Sequence, residues 1–214
     1  MAKYESLKDH VYQYITGKIQ NGELLPNQKV NELEICKELD ISRTPAREAL
    51  IQLSADNLID YIPRKGFMVK EIDNKKKLDT YKIIGTLDAL AAEQAFAFLD
   101  QADILKMNEL VEKMNVAIKY YNYADYCSLQ SDFHEVYIQK CDNPSLIDLL
   151  HLLKNSFIRL SYMSDDKERL FQALAQVNKQ HEAIAKLFAQ GDISTVQTAI
   201  RRHWETDTKN EDMI

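Results

Sequence analysis

Glycine and proline are scarce in this chain of 214 residues, five and four respectively, and most of them lie before residue 70. Residues that interrupt helices are therefore concentrated near the N-terminus. That asymmetry predicts a turn-containing head followed by a body of long, unbroken helices. Long apolar runs are missing as well. No stretch approaches the roughly 18 residues needed to cross a bilayer, and Met1-Ala2-Lys3-Tyr4-Glu5 does not open a signal peptide. Cysteine is limited to Cys36, Cys127 and Cys141, odd in number and unpatterned. They read as reduced core thiols, so the expectation is a cytoplasmic protein with no membrane partner. Excess positive charge is also absent: the net charge is −6. The imbalance lies beyond about residue 76, because acids and bases nearly cancel before it. A neutral head with locally clustered arginines can dock on DNA, while an acidic body discourages nonspecific coating.

The most informative stretch is Asp40-Ile41-Ser42-Arg43-Thr44-Pro45-Ala46-Arg47-Glu48-Ala49-Leu50. It reads as the turn and second helix of a helix-turn-helix. Ser42 or Thr44 can cap the incoming amides, and Pro45 suits a first helical turn, where a missing N–H costs nothing. Arg43 and Arg47 are four apart and share one face with Thr44, while Ala46, Leu50 and Leu53 fall on the opposite, apolar face. Two guanidiniums at a helix N-terminus above a buried back face suit a major groove and its phosphates.

The flanking segments extend that reading. Leu7, Val11, Ile15 and Ile19 mark an amphipathic first helix ending near Asn21-Gly22. Asn31 precedes a short helix carrying Leu33, Ile35, Cys36 and Leu39. Residues 58–62 and 67–70 read as two strands joined by Pro63-Arg64-Lys65-Gly66. Three helices and a basic hairpin, in that order, are the layout of a winged helix-turn-helix, whose wing presents Arg64 and Lys65 to a backbone or minor groove. No strand signal follows residue 70, so the body is predicted as an antiparallel helical bundle. Its helices are expected at residues 78–99, then one started by Asp100 or Gln101 and running from Ile104 to about Tyr120, at 123–141 and 144–163, from Asp165 or Asp166 to Gly191, and from Asp192 through Trp204. The domain division is 1–72 for the winged helix-turn-helix, 73–77 for a lysine-containing linker, and 78–214 for the bundle.

Residues 6–72 resemble the DNA-binding domain of the GntR family of bacterial transcription regulators. The resemblance is carried by Gly22-Glu23-Leu24-Leu25-Pro26, by Ile41 through Leu50, and by Pro63-Arg64-Lys65-Gly66-Phe67-Met68-Val69. It implies that Arg43 and Arg47 contact an operator, that Thr44 supports them, and that Gly66 lets the wing tip approach the minor groove. Leu33 stands where the family usually has an arginine, which removes one contact or signals a different operator.

His134, His181 and His203 fall on three different helices of the bundle, and imidazoles from separate helices can converge on one metal. Spacing alone does not require it. His134-Glu135 and His181-Glu182 begin like a metalloprotease motif, but Ile138 and Ala185 stand where its second histidine must be. The body resembles the FCD type of GntR effector domain through Asp132-Phe133-His134, Asn143-Pro144-Ser145-Leu146, His181-Glu182-Ala183-Ile184, Gly191-Asp192 and His203. By that resemblance the three histidines hold a divalent metal, zinc or nickel, which helps bind a small organic acid. The family's aspartate, four residues before the first histidine, is here Gln130, a doubtful fourth ligand that brings no charge. Asp132 is only two residues from His134 and points elsewhere on a regular helix. The family's effector-pairing arginine maps to Ile84, which leaves Arg159 as the candidate cation. Tyr126, Tyr137 and Tyr162 are candidates to line the same cavity.

The expected function is a repressor that binds a palindromic operator as a homodimer and senses a small molecule. Two alternatives stand beside it. One is a regulator with a metal-free pocket for a neutral ligand, suggested by Gln130 and Ile84. The other is an all-α metal-dependent hydrolase fused to a winged helix, with Asp132 near the histidines.

Overall fold

Val11, Ile15 and Ile19 form the buried face of α1 (Leu7–Gln20) in a computed structural model that describes residues 6–20, 23–56, 58–71, 74–157 and 167–206. The chain divides between Asp73 and Asn74 into two units. In the first, α2 (Glu32–Glu38) opens at Asn31, whose side chain accepts the Leu33 N–H at 3.1 Å. Lys18 on α1 reaches Glu38 on α2 at 2.9 Å. After a turn with Asp40 at φ +50°, α3 (Arg43–Ala55) begins behind Ser42. Ser42 holds the cap position, but its side chain makes no capping hydrogen bond. Helix α3 packs on α1 and α2, and Ala46, Ala49, Leu50 and Leu53 are fully buried there with Ile15 and Ile35.

The hairpin pairs β1 (Ile59–Ile62) with β2 (Gly66–Val69) antiparallel, Ile59 opposite Val69 and Ile62 opposite Gly66. Each strand is shifted or shortened by about a residue from the expected limits. Two residues of the turn are left-handed, Arg64 at φ +69° and Gly66 at φ +93°. The sequence pointed only to the glycine. Residues 28–30 add a short third rung that periodicity did not reveal: Val30 donates to the Phe67 carbonyl and Val69 to that of Gln28.

In the second unit α4 spans Asn74–Ala95, so residues 74–77 of the expected linker are helical. Lys75 pairs with Asp79 at 2.7 Å one turn on, and the Lys77 stem is buried with its ammonium 5.6 Å from the Tyr81 ring. A lysine run that finds an i,i+4 acid and an aromatic neighbour is stable as a first turn. Helix α4 gives way to a 3-10 turn at Phe96–Phe98, and Asp100 and Asp103 then form a capping box that starts α5 (Gln101–Lys119). Helix α6 covers Tyr123–Ile138 and stops short of Cys141, with the chain turning through Asp142 at φ +49°. Pro144 opens α7 (Pro144–Phe157), and Asn143 caps it on the Leu146 N–H. Helix α8 (Lys167–Gln190) ends at Gly191, φ +81°. Asp192 then caps α9 (Ile193–Thr206) by accepting from the Ser194 and Thr195 amides.

The bundle is held by α4 against α9 and α6, α5 against α6 and α8, and α8 against α9. At Gly85 the α4–α9 crossing is close: a Cβ there would lie 2.9 Å from the Trp204 Cβ. Among the described residues no helix is long and apolar enough to cross a membrane.

Candidate ligand centre and nucleic-acid face

His134 on α6, His181 on α8 and His203 on α9 converge, each offering one ring nitrogen within 4.8 Å of the other two. Their ring centroids are 4.5 to 5.4 Å apart. His134 and His181 are buried, and His203 is partly so. Burial pushes all three below the ordinary histidine value. The Asp88 carboxylate partly opposes this for His134. The neighbouring imidazoles and Lys154 reinforce it for His181. For His203, burial and the competing titration of the neighbouring His134 bring the value to about 3. At neutral pH the cluster is three uncharged imidazoles with lone pairs to offer.

Their hydrogen bonds differ in a way that matters. His134 Nδ1 lies 2.9 Å from Asp88 Oδ2 and 2.7 Å from the Tyr137 hydroxyl. His203 Nδ1 lies 2.8 Å from Gln180 Oε1, an acceptor, so it donates there and its Nε2 keeps the lone pair. His181 has both nitrogens buried with no partner in the structure. Leaving a buried polar atom unmatched costs about 1–3 kcal/mol, and ordinary core histidines avoid it. A divalent ion drawn to three imidazoles would take up one of those two nitrogens as a ligand, so the residues present fit a metal.

The sequence reading missed the group that anchors this cluster. Asp88 on α4 is fully buried, accepts Trp204 Nε1–H at 2.7 Å, and has Lys154 Nζ of α7 at 3.8 Å from its other oxygen. Burial pushes its carboxyl up, but the Lys154 ammonium and His134 outweigh that and hold it well below the usual carboxylate range. Lys154 is itself buried, and burial lowers its value against the pull of Asp88. A signal was available. Asp88 sits in register with Ile84 and Ala92, both fully buried, so an acid occupies the apolar stripe of α4. Lys154 likewise follows buried Leu146 and Leu150 at intervals of four on α7.

Of the other candidates, Gln130 is buried one turn before His134, and Asp132 is exposed, as a regular helix requires. Ile84 is fully buried and offers no charge. Tyr126 and Tyr137 are also fully buried, and Tyr137 touches His134. Arg159 and Tyr162 lie outside the described residues.

In the first unit Arg43, Thr44 and Arg47 are exposed on α3, opposite the buried Ala46, Leu50 and Leu53. Arg64 and Lys65 are exposed at the hairpin turn, with half-buried Gly66 after them. Leu33, in the first turn of α2, is 51% exposed.

Residues 7–69 match the family described as bacterial regulatory proteins, gntR family, and residues 79–206 match the FCD domain. The transcriptional repressor RspR of Escherichia coli is 23% identical over 199 residues, 93% of this chain and 86% of that protein. The gluconate operon transcriptional repressor of Bacillus subtilis is 25% identical over 203 residues, 93% and 81% of the two chains. Among solved structures, E. coli McbR/YncC superposes with a TM-score of 0.74 at 19% identity over 96% of each chain, a likeness of fold.

Proposed function

Because the chain belongs to the GntR family of bacterial transcription regulators, with an FCD domain C-terminal to its winged helix, we propose that it is a repressor whose operator binding as a homodimer is controlled by a small organic acid held at a metal centre. It is a regulator and not an enzyme, which removes the fused-hydrolase alternative. Arg43 and Arg47 read the operator, Thr44 supports them, and Arg64, Lys65 and Gly66 form the wing contact. Two heads are needed because one arginine-bearing helix reads too few bases to select a site in a genome.

The observation that carries the sensing half is His181, a buried imidazole without partners between two neutral imidazoles. His134, His181 and His203 hold the ion, and zinc or nickel suits this donor set. Gln130 has a neutral carbonyl to add. A bound divalent ion supplies a Lewis-acidic position for a carboxylate oxygen. The buried Lys154 ammonium stands 3.8 Å from the Asp88 carboxylate and balances it, so the positive charge that favours an anionic effector is that of the ion itself. Effector binding controls the operator by preferring one relative placement of the two heads, which requires unequal affinity for the two states.

Elemental analysis of purified wild type beside a His134→Ala, His181→Ala double variant tests this directly. The expected result is about one zinc or nickel per wild-type chain and none in the variant. Absence of metal from the wild type, even after incubation with excess ion, would leave the imidazoles as packing groups. It would favour the metal-free pocket for a neutral ligand that Gln130 and Ile84 suggest.

A further inference from the structure

We infer that Asp88 is the positioning residue of the histidine centre: it fixes the tautomer of His134 and supplies, from outside the ligand set, the negative charge that Gln130 does not bring. This rests on the reading of the three histidines as a metal centre. Asp88 Oδ2 is 2.9 Å from His134 Nδ1 and also accepts Trp204 Nε1–H at 2.7 Å. An ionised carboxylate only accepts, so the His134 proton resides on Nδ1 and the lone pair on Nε2. His203 reaches the same state through the Gln180 carbonyl. Two of the three imidazoles are thereby turned to ligate through Nε2, and each is oriented by a different acceptor.

The carboxylate is well placed for this work. It is fully buried, so its field on the imidazole is little screened. Its two named donors come from α6 and α9, and Lys154 of α7 stands 3.8 Å away. Asp88 thus ties the helices bearing His134 and His203 to α4. An acceptor behind a ligating histidine raises the basicity of the ligating nitrogen, and removing one typically costs about 10–100-fold in metal affinity. A purely structural ion pair with Lys154 would not require the Asp88–His134 contact.

The test uses the full-length chain and two readouts. Long-range 1H–15N NMR spectra of the metal-free wild type should show His134 protonated on Nδ1. Protonation on Nε2 would overturn the inference without any substitution. Zn2+ affinity, from competition with a chromophoric chelator, should fall about 10–100-fold in Asp88→Asn. It should change by less than about threefold in Trp204→Phe, which removes the other hydrogen bond to the carboxylate while the Asp88–His134 contact stays in place. Equal Zn2+ affinity in wild type and folded Asp88→Asn would reduce Asp88 to a structural role. Should the wild type bind no Zn2+ while His134 is protonated on Nδ1, the metal reading fails and the orienting contact stands. Should Asp88→Asn not fold, the wild-type tautomer decides.

Discussion

The three imidazoles are held neutral by burial, and that has a consequence whose sign is fixed. Their folded-state values lie below the ordinary histidine value. An unfolded chain therefore takes up protons that the folded chain refuses. Stability is full above about pH 6.5 and declines as pH falls below it. For His203 the decline continues to its own value of about 3. The fully buried His181, whose value is pushed well below the ordinary one, contributes to the same decline. In metal-free protein the urea midpoint should drop between pH 7 and pH 5, and the drop should be shallower in His181→Leu. An identical pH profile in that variant would remove His181 from the account. At this scale the histidines were legible in the sequence because a family resemblance pointed to them. Asp88 and Lys154 were not, since a charged residue on a helix is read as solvated until its neighbours in register are known to be buried.

Most elements were legible from periodicity, and the discrepancies cluster where single residues set a helix end. Helix α6 ends at Ile138 with Gln139 as its C-cap, short of Cys141, and α4 gives way behind Ala95 to the 3-10 turn at Phe96–Phe98. Neither is visible in an apolar repeat. The start of α4 at Asn74 carries the Lys75–Asp79 pair, which adds modestly to a first turn where a linker was expected. The crossing of α4 and α9 gives the sharpest test at this scale. Alanine normally stabilises a helix over glycine by about 1 kcal/mol. At Gly85 the added carbon would lie 2.9 Å from the Trp204 Cβ and 3.5 Å from the Arg201 carbonyl. Gly85→Ala should therefore destabilise by about 1–3 kcal/mol, against propensity. A raised urea midpoint in that variant would show that the two helices are not in close contact.

For the molecule as a whole, a winged-helix head ahead of a helical body is foreshadowed by glycine and proline lying mostly before residue 70, and among the described residues no strand follows Val69. The operator prediction belongs here. Arg43→Ala and Arg47→Ala should each cost about 1–3 kcal/mol of specific binding if the arginine reads a base. Binding to unrelated DNA at the same salt should change far less. Unchanged operator affinity in both variants would move recognition elsewhere, with exposed Leu33 the next residue to try. A different consequence follows from Trp204, the chain's single tryptophan. Its indole donates to Asp88, lies 5.5 Å from the His134 ring and 5.7 Å from that of His203, and has the Lys154 ammonium 5.6 Å from its own ring. Tryptophan fluorescence from this protein therefore arises at the ligand centre alone. Protonation of an adjacent imidazole, or entry of a paramagnetic ion such as nickel, registers as quenching of the whole signal, and the molecule carries its own optical gauge of occupancy.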